Sequence, residues 1–330
     1  MDRGRPDDET IRAAIAFACR APSVHNTQPW RWTIGDRGVH LHADPTRRLP
    51  VTDPTGSDLL LGCGAALHHL RVALAALGRH AVVHRLPNPA EPDHLAAVES
   101  TTRRRPTDAD VALAAAVPHR RTDRRRYSSW RVPAAVLRRL EDRAAREGVV
   151  VREIVTPRAR HELTAAVEIA AVRQDANPAY RWELRAWSAR HATPDGVPAG
   201  NAPPGVPRHG DLRLREFPGG ELVDGPSGEW EDDGASLLVL GTSSDDRRSA
   251  LRAGEAMSAV LLEATAAGLA TSPLSQPLEI PDTRAHVRDA VLDGTLHPRM
   301  VLRVGWAAFN ADPLPPTPRR PLSEVLGGLA

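Results

Sequence analysis

The sequence predicts an α+β fold, with helices packed around mixed, mostly antiparallel sheets and arranged as two related halves. Three observations carry this. A strand–turn–strand alternation stands near the start, an alanine-rich helical run occurs twice between glycines at the same spacing, and a β-rich stretch follows each copy.

Taken in order, Ile11, Ala14, Ile15 and Ala18 recur at helical spacing and define an opening helix. Trp30 to Ile34 and Val39 to Ala43 alternate about Gly35-Asp36-Arg37-Gly38, the pattern of a β-hairpin. A helix runs from Asp58 to Ala76, then a β-rich stretch from Ala81 to Leu86, with Pro87, Pro89 and Pro92 marking a connector. Pro133, whose fixed φ suits a first helical turn, opens a helix that reaches Glu147. Val149 to Val155 reads as a buried strand and Arg158 to Arg190 as helix, with a break at Asn177-Pro178. Thr193 to Asp233, rich in proline and glycine, reads as a long insertion. Ser236 to Gly241 is a buried strand, Arg247 to Ala267 a helix and Met300 to Trp306 a last strand. A proline-rich tail carrying Arg319 and Arg320 follows.

The repeated run is Gly64 to Gly78 and Gly254 to Gly268. Both copies put small and aliphatic residues on one helical face, which suits two helices packed on each other across an approximate twofold. Duplication and mere likeness of composition are both open at this stage. The halves divide at about residue 115, into 1–115 and 116–330.

Composition narrows the chemistry. The 330 residues contain no lysine, so all 43 basic residues are arginine, and no pyridoxal Schiff base, Walker A loop or Ser-Lys pair can be built. Arginine still binds phosphate through bidentate contacts. With 41 acidic residues the net charge is +2, too balanced for a dedicated nucleic-acid binder. The start lacks a secretory apolar segment and no uninterrupted apolar stretch suggests a membrane span, so a cytoplasmic protein is expected. Cys19 and Cys63 lie in apolar helical patterns and read as buried thiols, and no metal site is expected.

Two motifs carry candidate sites. Ala21 to Trp30, A-P-S-V-H-N-T-Q-P-W, sets Ser23, His25, Asn26, Thr27 and Gln28 between Pro22 and Pro29. The prolines bias the preceding residues away from helical geometry, and fixed amides and hydroxyls can read the edge of a flat heterocycle. An ordinary capped loop would have the same composition. His119 to Tyr127, H-R-R-T-D-R-R-R-Y, gathers guanidinium groups around a threonine. That set suits a phosphomonoester, because each arginine fork can give two charge-assisted hydrogen bonds. A solvated basic turn is the alternative, and Asp123 would neutralise part of the cluster in either case.

Together these motifs resemble the nitroreductase-like FMN-binding proteins. The first is similar to their S-x-x-N-x-Q-P-W element and R-R-T-D-R to their R-R-S-x-R phosphate motif. The order of the two is similar to that in the Acg subgroup of actinobacterial flavoproteins, in which two nitroreductase-like halves are fused in one chain. The resemblance runs from about Thr10 to Val325. It includes Ala43 to Gly56 (A-D-P-T-R-R-L-P-V-T-D-P-T-G), Ser272 to Pro277 (S-P-L-S-Q-P) and Pro316 to Pro321 (P-T-P-R-R-P). Each half lacks the motif that the other carries, which implies an intramolecular pseudo-dimer around one FMN.

By this resemblance Arg120, Arg121, Thr122 and Arg124 hold the FMN phosphate and ribityl end, with Arg320 closing over it. Ser23, Asn26 and Gln28 approach the isoalloxazine from the other half, and His25 has a minor orienting or merely structural role. Backbone N–H groups near Leu274, Ser275 and Gln276 face flavin N5 and O4, where other members carry an acidic-glycine pair. The activity implied is two-electron, NAD(P)H-dependent reduction of a nitroaromatic or quinone-type acceptor, with the flavin supplying the chemistry. The alternative is FMN storage, with the insertion at 193–233 folded as a lid that excludes nicotinamide. Trp182, Trp187 and Trp230 flank that insertion, for which a solvated loop is the third reading. The partners implied are a small-molecule acceptor, no nucleic acid and no membrane. The chain is expected as a monomer with an internal twofold or as a weak homodimer.

Overall fold

The computed structural model describes residues 6–36, 38–190, 193–223 and 233–327. Asp7 caps the opening helix α1 (Asp8–Ala18), its carboxylate accepting from the Thr10 amide at 2.7 Å. The hairpin follows as expected, β1 (Trp30–Ile34) antiparallel to β2 (Val39–Ala43). Gly38 has no freedom to be anything else in its turn, since a Cβ there would fall 2.1 Å from the Val98 carbonyl oxygen.

Helix α2 (Ser57–Ala76) leads into β3 (Arg79–Arg85), and β4 (His94–Arg103) pairs with both β2 and β3. Strand β4 lies beyond the proline-marked connector, where the sequence reading placed no element. Pro87, Pro89 and Pro92 stand in the β3–β4 turn and stop short of the strand, whose inward residues Leu95, Ala96 and Val98 are buried. The next helix, α3 (Asp108–Ala116), was also not anticipated. A capping box starts it, Thr107 Oγ1 accepting from the Asp110 amide while Asp110 accepts from the Thr107 amide.

Helix α4 (Ala134–Arg146) and strand β5 (Val150–Glu153) precede α5 (Pro157–Ala176) and α6 (Pro178–Ala186). The break between the last two falls at Asn177-Pro178 as read. Asn177 Oδ1 caps α6 through the Ala179 amide at 3.0 Å. A short β6–β7 ribbon (Arg208–His209 and Leu212–Arg213) interrupts the expected insertion. Then come β8 (Ser236–Thr242), α7 (Arg247–Ala266), β9 (Ala270–Leu274), α8 (Pro281–His286), β10 (His297–Gly305) and α9 (Leu322–Val325).

The strands form two four-stranded sheets, β1-β2-β4-β3 and β5-β8-β10-β9, every pairing antiparallel. Between them α2 packs on α7 at the repeated glycines. A Cβ on Gly64 would lie 2.0 Å from the Leu251 carbonyl oxygen, and one on Gly254 would lie 2.1 Å from that of Leu61. The helix backbones therefore touch, as the small-residue faces imply. Gly78 and Gly268 end the two runs in left-handed conformation, φ +70° and +79°. One apolar cluster embraces both sheets and both helices, from Ile15, Trp30 and Trp32 to Leu251, Val260 and Val304. The tail returns to the first sheet, where Leu326 bridges to Trp32.

Among the described residues α2 alone is long and apolar enough to cross a membrane, with mean hydropathy 1.5, yet 83% of that window is buried inside the protein. It is the core helix of the packing just described. Cys19 and Cys63 are both buried and unpaired, as read, and among the described residues no group of histidine, cysteine and acidic side chains is arranged to hold a metal.

Candidate functional site

The loop after α1 is built under backbone strain. His25, Asn26 and Gln28 have φ of 46°, 55° and 51°, a region in which non-glycine residues are uncommon and cost about 1–3 kcal/mol each. Local bonds hold it, with the Gln28 amide donating to Ser23 Oγ at 2.8 Å and the Asn26 amide to the Ser23 carbonyl at 3.0 Å. The arginine motif is pinned beside β9. The Asp123 amide donates to the Thr271 carbonyl at 2.8 Å, and Thr271 Oγ1 donates to the Arg121 carbonyl. Asp123 neutralises part of the cluster, as read, and its charge also acts on Arg124. Its carboxylate is taken by Arg125, at 2.9 Å from Nε and 2.8 Å from a terminal nitrogen.

Loop and motif meet at a cleft with two connected lobes, both lined by Pro22, Ser23, His25, Thr122 and Arg124. The larger lobe, about 880 Å³ including its open mouth, is further walled by Leu61, Gly62 and Met257 of the two central helices and by Ser272 to Pro277. The smaller, about 430 Å³, is bounded by Asn26, Arg120, Asn201, Thr317 and Arg319, and no acidic residue lines it.

The electrostatics of the small lobe are one-sided. Arg120 is 6% exposed, and its Nε and one terminal nitrogen have no hydrogen-bond partner. Burial, with Arg121 and Arg20 nearby, pushes its pKa down to about 10. Arg319 is pushed down to about 9 by burial and by Arg120 and Arg20, and its Nε is likewise unpartnered. Burial and Arg215 bring Arg124 to about 10, its one terminal nitrogen donating to the Asn201 carbonyl at 2.7 Å. Buried cations without counter-charge are costly, and an anion is what such a set lacks. In the large lobe Ser272 Oγ is buried and unpartnered, a second group awaiting a ligand.

The expected site residues divide into two sets. Ser23, His25, Thr122, Arg124, Leu274, Ser275 and Gln276 line the large lobe, and Asn26 and Arg120 the small one. Gln28, Arg121 and Arg320 line neither lobe. Arg121 turns to the Leu314, Pro118 and Arg120 carbonyls. Gln28 is fully buried, its Nε2 donating to the Pro194 carbonyl at 2.8 Å and its Oε1 accepting from the Arg320 amide at 2.8 Å. Arg320 itself faces Gln28, Asp44 and Glu324, so the tail arginine that reaches the cleft is its neighbour, Arg319. The two residues stand side by side between Pro318 and Pro321, on chain where successive side chains alternate in direction, and the motif alone does not say which one turns inward. The Ser275 and Gln276 side chains are committed to Glu279 and Gln174. His25 stacks edge-on against Phe217, and burial with Arg215 and Arg124 holds it neutral, well below its ordinary pKa.

The described part of the insertion, 193–223, packs on the cleft. Val197, Pro198 and Asn201 close the small lobe, and Arg213 to Arg215 with Phe217 close the large one. It is tied down by Asn26 Nδ2 donating to the Gly196 carbonyl and by an Arg47–Asp195 ion pair at 2.5 Å. Just upstream, Glu183 of α6 accepts from the Val51 and Thr52 amides. Of the flanking tryptophans, Trp187 lies under Arg47 and Arg190, Trp182 is exposed, and Trp230 falls outside the described residues. Arg215, Phe217, Asp58 and Ser272 were not anticipated. The first two lie in a stretch without periodicity, and the last two look like ordinary helix-start and strand residues.

No protein-family model matches the chain. Curated relatives do. Two proteins of Mycobacterium tuberculosis that bear the name "Putative NAD(P)H nitroreductase" match nearly its whole length. The one designated Rv3131 is 49% identical over 99% of this chain and 93% of its own, and the one designated acg is 37% identical over 96% and 95%. Among solved structures, the FMN-dependent nitroreductase NfnB of Mycobacterium smegmatis, in complex with NADPH, is 17% identical over 66% of this chain and 97% of its own, with a TM-score of 0.41. The chain belongs to the nitroreductase-like proteins. Within them it is a member of the Acg subgroup.

Proposed function

We propose that the chain is an FMN-dependent oxidoreductase that takes electrons from NAD(P)H and reduces a nitroaromatic or quinone-type small molecule. The observation that carries this is the small lobe, where Arg120, Arg124 and Arg319 converge with no carboxylate among the lining residues. A phosphomonoester of about −1.5 to −2 charge supplies the missing counter-charge. Arg120, Arg124, Arg319 and Thr122 would hold the phosphate and ribityl chain. Ser23, Gly62, Met257, Ser272 and the Leu274 to Gln276 backbone would border the ring in the large lobe. When bound, the flavin supplies hydride transfer. The protein's own part is to fix it, to supply positive potential from Arg124 and to limit the entry of water. The fold supports the pseudo-dimer reading, with halves 1–115 and 116–330 each supplying one wall and the tail crossing back. The test is to titrate purified apoprotein with FMN, then mix the complex anaerobically with NADH and NADPH in a stopped-flow instrument. One FMN per chain and bleaching with either donor are expected.

A second reading, storage of FMN under a lid, is favoured by the packing of 193–223 over both lobes. It predicts tight, stoichiometric FMN with no bleaching by either nucleotide. A variant lacking 193–210 would then be reduced faster than the intact chain.

A further inference from the structure

One cleft residue remains without a task in the reading above. Asp58 stands in the first turn of α2 and lines the large lobe together with Arg215 and Ser275. The charged groups around it are already committed. Asp53 caps α2 by accepting from the Leu59 amide at 2.8 Å. Glu279 takes Ser275 Oγ at 2.7 Å, Gln174 Nε2 at 2.6 Å and the Arg215 guanidinium, which also donates to the Tyr180 hydroxyl at 2.5 Å. Arg284 pairs with Asp245. Asp58 makes no hydrogen bond or ion pair with a described residue, and it lines the cleft. Burial, then the like charges of Asp53 and Glu279, raise its pKa well above the carboxylate range, and the opposing pull of Arg215 and Arg284 is weaker. A carboxyl that lines a substrate-sized space and whose ionised form is disfavoured can give up a proton to a stronger base that forms beside it.

We propose that Asp58 is the catalytic proton donor to a quinone-type acceptor in this cleft. The inference rests on the oxidoreductase reading. Two-electron reduction of a quinone requires one hydride, which carries both electrons, and one proton. Bound and reduced, the cofactor would supply the hydride to one quinone oxygen. The Asp58 O–H bond breaks as a new O–H bond forms on the other oxygen. The products are the hydroquinone and the Asp58 carboxylate. Repelled by Asp53 and Glu279, that carboxylate recovers a proton from water at the open mouth of the cleft.

Asp58→Asn removes the acid at nearly constant shape, and Asp58→Glu restores it. The first readout needs neither cofactor nor turnover. The infrared spectrum of the protein near neutral pH should contain a protonated-carboxyl C=O band that disappears in D58N. The second is stopped-flow oxidation of the pre-reduced FMN complex by a benzoquinone across a pH series, in H2O and in D2O. The wild type should slow as pH rises through the titration of the acid and show a solvent isotope effect. D58N should be about 100-fold slower and flat with pH, and D58E should recover the pH dependence. A wild-type spectrum without the band, or a flavin-loaded D58N with the wild-type rate and pH profile, overturns the assignment of Asp58. Failure of the wild type to bind FMN overturns the oxidoreductase reading instead, and the proton-donor role with it.

Discussion

Arg120 and Arg319 line the same small lobe, and the charge of Arg120 depresses the pKa of Arg319, with no acidic side chain among the residues that line it. Both remain cations at neutral pH, so the unliganded protein carries an uncompensated electrostatic cost that a bound phosphate removes. Arg120→Met keeps the aliphatic stem and deletes the charge. FMN affinity should fall about 10- to 100-fold, the worth of one or two charged hydrogen bonds, while the apoprotein melts at the same temperature or higher. Calorimetric titration with FMN and thermal melts of the apoprotein check both halves of the statement.

The same argument makes inorganic phosphate a probe. It should raise the melting temperature of the wild-type apoprotein, approaching about 2.7 kcal/mol of stabilisation at a hundred times its dissociation constant. The increment should shrink in the Arg120→Met variant. Equal increments in the two proteins would mean that phosphate binds elsewhere.

At the centre of the fold, Gly254→Ala pits local preference against packing. Alanine is favoured over glycine in a helix by about 1 kcal/mol, but its Cβ would stand 2.1 Å from the Leu61 carbonyl oxygen and 2.9 Å from Gly64 Cα, both backbone atoms that cannot swing away. Packing should win. The expected result is a loss of about 1–3 kcal/mol by urea unfolding. Because α2 and α7 both wall the cleft, weakened FMN binding should accompany the loss.

How far the sequence foretells this structure depends on whether the deciding signal is local. The hairpin, the two long helices and the break at Asn177-Pro178 are set by periodicity and turn chemistry, and all appear at or within a few residues of where the sequence puts them. Strand β4 is hidden because its residues alternate weakly, with Ala96, Ala97, Ser100 and Thr101 gaining strand geometry from β2 and β3 on either side. At the site, the motifs locate the loop and the arginines but not which way each side chain turns. Gln28 and Arg320 point at each other, and Arg319 takes the cleft position. Arg215 and Phe217 reach the cleft only through the path of the insertion, which no local pattern encodes.

His68 makes stability depend on pH. It is buried on α2, hydrogen-bonded to Ser258 Oγ at 2.9 Å, and burial followed by the charge of Arg71 lowers its pKa from 6.5 to about 3. Between those values the unfolded chain binds a proton that the folded chain does not. Stability is therefore fully present above pH 6.5 and lost as pH falls toward 3, at up to about 1.4 kcal/mol per pH unit. His25 and His69 are shifted in the same direction, and the raised carboxyls Asp53 and Asp58 act in the opposite sense. The difference between wild type and His68→Asn isolates the single histidine. Urea midpoints at pH 7.5, 6.0 and 5.0 should converge as pH falls, because only the wild type carries that loss.

Gln28 ties the insertion and the tail to one buried amide, and its two ends can be tested separately. Gln28→Ala strips the donor from the Pro194 carbonyl and the acceptor from the Arg320 amide, at about 1–3 kcal/mol for each buried group left unpaired. Both segments should loosen, with faster cleavage by trypsin at Arg208 and at Arg319, and faster release of FMN. Gln28→Glu keeps an acceptor for the Arg320 amide and adds a charge favourable to the Arg320 guanidinium, but it sets a carboxylate against the Pro194 carbonyl. Cleavage should then accelerate within the insertion while the tail stays protected. Equal cleavage of both segments in the two variants would show that other contacts hold them, with Asn26 and the Arg47–Asp195 pair the first to examine.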